Sequence, residues 1–454
     1  MKVRNKMIKA IAVIGFLIMI APSFAAAQGF PLRVNCDRGQ SVQRALDLLD
    51  RFNLPATIVV TGTCNEHIVI MEDDVTLQGG IYIGSDPSRN TISVRSARRV
   101  SITGATVSGA SSGVVVFQGG SLSLDQARIQ NNAKNGLVAA ENSTLFLTNS
   151  TIQNNGSSGV VTISSSSARI GQNILGNTGP NTIRNNGNGV AVLRSASALI
   201  DGNTIEGNSG DGVIIEGGSA TVINNVIRAN QVKGINVSSS GHARIGIADA
   251  NQAGPNTIEN NGLEGIQSAN GGAAYIWSNT IQNNGITSHR PGVAIYRATG
   301  RLIGDNTIQG NGGHGVEVVQ GQLFQGVGDF NLTPGRDIIR QNGYSGISGW
   351  NGASLDIQYV EVTGNAQNGI VLSLRSTLRI YDSTVSGHLN SLYHGVAVYD
   401  GSAAAFYHPT GTQAALITGN TGWGVFCGGQ ESSCTGDISG VTGNTAGNVS
   451  CTGF

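Results

Sequence analysis

Seven residues near the middle of this chain could do acid–base chemistry together. Asp211, Lys233, Glu264, Arg290 and His314 come from five consecutive repeats, with His289 beside Arg290 and Glu317 close after His314. An acid, a base and a cation in one file could serve glycan cleavage, in which a carboxyl or imidazole moves the proton. A lyase would need a calcium site of several carboxylates from adjacent coils plus an arginine or lysine base. No two successive coils offer paired carboxylates at the outward strand positions, which counts against a lyase and its calcium. No cofactor or metal is therefore expected. The plain alternative for the row is alternating charge on exposed turns, which keeps a rod soluble and adds little stability.

A second file is aromatic. Tyr296, Trp350 and Tyr399 fall on one outward strand column, two coils apart each time, and Trp423 lies in the adjoining turn. Exposed rings at intervals of roughly 10 Å suit stacking on the sugars of an extended polysaccharide. Trp277 stands off this column and reads as packed under a loop.

Both files are carried by a repeat. Asn181-Thr182-Ile183-Arg184-Asn185-Asn186-Gly187-Asn188-Gly189-Val190 recurs with small changes, aligned on β-branched positions that run from Val107 through Ile129, Ile152 and Ile183 to Ile417 and Val441. Most spacings are 22 or 23 residues, with three short apolar triplets in each. A three-sided parallel β-helix needs that pattern, because every turn must bury one residue stack from each side. The expected fold is all-β: a single-stranded right-handed parallel β-helix of about fourteen coils with an N-terminal α-helical cap, roughly 65 Å long.

Two further columns fix the register. Three residues after the aliphatic position stands an asparagine in twelve of the fourteen coils, with Ala110 and His388 departing. It should form a side-chain ladder and tolerate a left-handed turn. A glycine precedes the next strand in each coil, replaced by Asn448 in the last, and a positive φ is expected there. Longer spacings recur every third coil, at Gly171–Gly179, Gly246–Gly254, Gly326–Gly335 and Pro409–Ala415. These insertions should stack as a row down one edge, about 14 Å apart, and duplication of three-coil blocks explains them most simply.

The ends differ from the repeats. Lys2, Arg4, Lys6 and Lys9, an apolar run from Ile11 to Ile20, and Ala25-Ala26-Ala27 read as a cleaved signal peptide, residues 1–27. Residues 28–80 read as a cap with the first coil: Val42, Ala45, Leu46 and Leu49 have helical spacing behind Ser41 as N-cap. Residues 81–426 are the repeats, and 427–454 a cysteine-containing C-terminal coil. In an exported protein the five cysteines read as one disulfide at each end with one left over. Cys36 with Cys64 is the N-terminal pair, while any two of Cys427, Cys434 and Cys451 can make the C-terminal one. Loss of the leader leaves 23 basic against 27 acidic residues, with Lys134 and Lys233 the only lysines. That balance lacks the basic stripe of a nucleic-acid binder, and the leader run is too short for a membrane span.

The coil-building residues resemble those of the right-handed parallel β-helix superfamily of pectate lyases, polygalacturonases, pectin methylesterases and mannuronan epimerases, over residues 57–450. Gly62-Thr63-Cys64-Asn65-Glu66 is similar to the Gly-x-Tyr-x-Glu turn that opens methylesterase-like helices. The catalytic signatures of those families are missing: of the polygalacturonase set only Gly313-His314-Gly315 is present, and Asp86-Pro87 is an ordinary turn. The expectation is an exported, monomeric, extracellular, cell-surface or periplasmic protein that binds polysaccharide through the aromatic file without catalysis. The alternatives are a polysaccharide lyase, glycoside hydrolase or epimerase using the Asp211–Glu317 row, and a structural coat or adhesin component.

Overall fold

The computed structural model describes residues 31–451 apart from 51–54, 174, 250–251, 327–334 and 430. The expected signal peptide lies outside the described residues. Each repeat folds into three short strands; the turn that begins at Asn181 uses Thr182–Arg184, Asn188–Leu193 and Ser197–Asp201. Pairing between turns is parallel and matches each repeat position with itself, as in Ile152 to Ile183 to Ile205 to Ile227. The glycine-led strands make a 16-stranded sheet, and the other two faces join around a corner into a 31-stranded one. One aliphatic stack per face is sealed inside, with Ile183, Val190 and Ile200 all fully buried.

The fold is the right-handed parallel β-helix, with about 17 turns rather than fourteen, a rod of about 80 Å. The aliphatic column continues below Val107, which pairs with Tyr82, and Tyr82 pairs with Cys64. A tyrosine and a cysteine fill the place of valine or isoleucine in those turns, so residue type hid them. Leu32–Asn35 adds a strand beneath them.

The helix Val42–Asp50 covers the open end, burying Val42 and Leu46 completely. Ser41 is its N-cap, its Oγ accepting the Arg44 N–H at 3.2 Å. Glu66, from the turn that opens the first full coils, completes the cap by accepting from the Val42 N–H at 2.8 Å and the Ser41 hydroxyl at 2.7 Å. Cys36–Cys64 ties this cap to the rod. At the other end Cys427 pairs with Cys434, and Cys451, its neighbour in register, keeps a free thiol.

The asparagine ladder is continuous from Asn132 to Asn365. Each rung donates its amide N–H and its side-chain Nδ2 to the Oδ1 of the next, as Asn208 does to Asn230 at 3.1 and 2.9 Å. It breaks at His388, whose Nδ1 bonds Asn420 and whose buried Nε2 has no partner among the described residues. A second ladder, unforeseen, runs two residues before the aliphatic position: Asn181, Asn203, Asn225, Asn256, Asn279 and Asn306, ending on Asp337.

Two backbone expectations are corrected. The positive φ falls on the residue before the ladder rung, such as Asn185 at 54° and Asn283 at 55°, because the rung's amide must point along the stack. The column glycines do not have positive φ. They are glycine for lack of room: a Cβ on Gly136 would lie 2.6 Å from the carbonyl oxygen of Gly159 and 2.7 Å from the Ile152 methyl. Asn448 is tolerated because no described turn lies above it.

Candidate functional site

In six turns the residue just before the column glycine has the same task. Its side chain accepts the backbone N–H of the same position one turn on: Asn135 from Ser158, Asn188 from Asp211, Asp211 from Lys233, His314 from Ser345, Asn368 from His394, and His394 from Trp423. Asp211 and His314 are thus committed to holding turns. The second oxygen of Asp211 also accepts from Asn236 at 3.0 Å. Burial lowers the His314 pKa, against a smaller raising effect of Glu317, so the imidazole stays neutral with Nδ1 as acceptor.

Glu264 has the same position and lacks the same task. The matching residue of the next turn is Pro291, which has no N–H to give. The carboxylate is nevertheless only 3% exposed, and its Oε2 finds no partner among the described residues. Arg290 is the nearest cation, with Nε 3.9 Å from Oε1. Proline and the extended turn 286–291 have released one acidic side chain from structural duty.

The next two turns complete a patch around it. Tyr296 donates its hydroxyl to Glu317 at 2.5 Å. Burial raises the Tyr296 pKa most, the charges of Glu317 and Glu264 raise it further, and Arg290 opposes them. The Tyr296 hydroxyl therefore stands within electrostatic reach of Glu264, Arg290 and Glu317. His289 stacks on Tyr344 with ring centres 5.9 Å apart, and His314 meets the same ring edge-on at 5.4 Å. Lys233 and Asp211 lie below this patch and outside it.

The aromatic file joins the same place. Tyr296 pairs with Val319, Val319 with Trp350, and Trp350 with Ser373, which puts Tyr296 and Trp350 on one column two turns apart. Trp350 is 43% exposed, two residues along from Ser348, the strand partner of Glu317. Tyr399 instead leans on Phe426, which stacks on His394, and the Trp423 backbone is held by that histidine. Only Trp350 of the four presents a largely open ring. Trp277 packs with Ile247 and Ile303, beneath an insertion, as its position implied.

A second surface was missed. On the third face, the residue between two inward positions forms an outward file of Phe146, Arg169, Leu199, Thr221, Arg244, Tyr275, Arg301 and Phe324. The visible signal was a recurrent Ala-x-Ile, in 168–170, 198–200, 243–245 and 274–276, whose middle residue must point outward. Among the described residues, the groups of three donors close enough to hold a metal are Cys427, Cys434 and Cys451, and Cys36, Cys64 and Glu66. Each of these contains a disulfide, and none includes a residue of the patch. No described helix is long and apolar enough to cross a membrane.

A family model described as a right handed beta helix region matches residues 57–181, 180–281 and 265–437. No curated protein matches the chain. Among solved structures, the A-module of Azotobacter vinelandii mannuronan C-5 epimerase AlgE4 is similar at 14% identity over 87% of this chain and 95% of that one, with a TM-score of 0.40. Tailspike protein 3 of bacteriophage CBA120 is similar at 10% identity over 99% and 68%, TM-score 0.33. Pectate lyase Pel9A is similar at 11% identity over 75% and 80%, TM-score 0.22.

Proposed function

The chain belongs to the right-handed β-helix family, and from that premise we propose that it is an exported protein that binds polysaccharide on its glycine-led face without cleaving it. The observation that carries this reading is the juxtaposition of the open Trp350 ring with the patch formed by Glu264, Arg290, Tyr296 and Glu317. An aromatic platform beside charged hydrogen-bonding groups meets both sides of a sugar, its apolar ring face and its hydroxyls. Against catalysis stand the commitments of the acid–base groups: Glu317 accepts from Tyr296, Asp211 holds two donors, and His314 is neutral and bonded. Export follows from the N-terminal leader, and binding of this kind requires no cofactor.

Retention of the full chain on immobilised neutral and acidic polysaccharides tests the proposal. Trp350→Ala should weaken retention at least about tenfold on the recognised glycan, with an unchanged melting curve, because its ring is exposed. Unaltered retention would remove this face from binding. Loss of all retention on every glycan, even by the unaltered protein, would leave a coat or adhesin role. New reducing or unsaturated ends after incubation, especially if a chelator abolishes them, would make the protein an enzyme.

A further inference from the structure

The third face carries a groove that faces away from the Trp350 patch. Its inward column carries leucine on either side of the middle: Leu122 and Leu145 before it, Leu323, Leu355 and Leu378 after it. Between them stand Ala168, Ala198, Ala220, Ala243, Ala274 and Gly300 in unbroken register. Small inward residues let the strands sink toward the core, and a Cβ on Gly300 would collide with the Ile295 side chain. Concavities of about 590, 540 and 230 Å³ lie along that run, the first reaching back to Thr144 and Phe146. The first two share Ser219, Ala220 and Thr221, and the last two share Tyr275 and Arg301, so they form one continuous groove. Between Phe146 and Phe324 it spans seven inter-turn steps, roughly 34 Å. Insertion loops rim it through Gln172, Ile247 and Ala253.

The floor of this groove is cationic and aromatic. Among the described residues, neither Arg169 nor Arg244 has a carboxylate within ion-pairing reach, whereas Arg99, Arg228 and Arg379 each have one. Tyr275, 36% exposed, and Phe324, 43% exposed, stand in the same file beyond Arg244. Uncompensated guanidinium groups held in a long concavity attract carboxylate or sulfate in forked hydrogen bonds, and the rings between them accept flat apolar faces.

We infer that this groove is a second binding site, built for an extended acidic polysaccharide that lies along the helix axis with its carboxylates or sulfates on Arg169 and Arg244 and its sugar faces on Tyr275 and Phe324. It is independent of the glycine-led face, and the two together let one rod hold two glycan chains on different sides. A single-stranded nucleic acid has similar chemistry, but the acidic net charge of the mature chain opposes a long phosphate backbone outside the groove.

The test is direct binding of the full chain to polygalacturonate, to its fully methyl-esterified form, to a sulfated galactan and to single-stranded DNA. Polygalacturonate or the sulfated galactan should bind, the neutral ester at least about tenfold less well, with affinity falling as salt rises. Arg244→Ala and Arg169→Ala should each weaken the acidic glycan about tenfold, and Tyr275→Ala about fivefold. Lys134→Ala, which removes an exposed cation elsewhere, should change nothing. Unfolding curves of all variants should coincide, since these side chains point outward. Equal affinity for the charged and esterified polymers, no binding of either acidic glycan, no effect at Arg169 and Arg244, or preference for the DNA would each overturn the inference. These outcomes are read separately from Trp350→Ala, so this site and the glycine-led face fail or stand independently.

Discussion

Replacing Asn208 with alanine destabilises the protein by about 3–5 kcal/mol, the largest expected effect of any single truncation outside the aliphatic core. Asn208 is fully buried. Its Oδ1 accepts the Asn186 N–H at 3.0 Å and Asn186 Nδ2 at 3.2 Å, while its own Nδ2 donates to Asn230 at 2.9 Å and to the Ile183 carbonyl at 3.3 Å. Alanine orphans the Asn186 N–H in a place water cannot reach, at about 1–3 kcal/mol, and leaves Asn186 Nδ2, the Asn230 Oδ1 and the Ile183 carbonyl each one partner short. The amide is also a rung between two others, so its loss loosens the turns on both sides. Urea denaturation followed by circular dichroism reads the change as a lower midpoint. A loss below about 1 kcal/mol would show that the ladder decorates the stack rather than holding it.

Asp337→Asn should raise stability by about 3 kcal/mol at neutral pH and remove part of its pH dependence. Asp337 ends the second ladder: Oδ1 accepts Asn306 Nδ2 at 2.8 Å and Oδ2 accepts Gln325 Nε2 at 3.1 Å. The strand neighbour above it is Val360, which has nothing to accept a further rung. An acceptor-only end group suits that position, yet complete burial pushes its pKa up to about 6 from an ordinary 3.8, despite those bonds. The sign is therefore opposite to that of a salt-bridged carboxylate. Between roughly pH 4 and 6 the folded protein holds a proton that the unfolded chain has released, so stability falls as pH rises through that window and stays low above it. A gap of that size is worth about 3 kcal/mol. Asparagine keeps the acceptor for Asn306 and, with the Gln325 amide turned over, gives its N–H₂ to the Gln325 Oε1, which has no partner among the described residues. Denaturation midpoints of both proteins at pH 4.5 and 7.5 read this effect as convergence at the lower pH. Parallel curves would place the charge elsewhere.

The repeat columns made most of the architecture legible before any coordinates. Ile183, Asn186 and Gly189 each recur because the position admits one kind of side chain, and a stack of turns multiplies that signal. Tyr82 and Cys64 escaped because they fill the same buried slot with a different residue type near the end of the rod. The second ladder escaped for another reason. Asn181 was visible in the motif, but a hydrogen bond between residues 22 apart is written only in the register of neighbouring turns.

The candidate site was half legible. Asp211, Glu264 and His314 stand in one file, whose member in the turn between the last two is Pro291 with Arg290 beside it, yet nothing in that file separates the capping side chains of Asp211 and His314 from the released carboxylate of Glu264. That difference depends on Pro291 standing opposite Glu264 one turn later. Likewise Tyr296, Trp350 and Tyr399 share a column, but only packing against Glu317 and Phe426 made Trp350 the open ring.

By itself the sequence determined the fold class, the face on which each residue lies and the cap at the N-terminal end, because periodic burial leaves a periodic trace. Tertiary structure alone decided the shape of the surface. The groove over Ala168 to Gly300 exists because small residues, 22 to 31 positions apart, come into one column and let the wall sink; no single turn contains it.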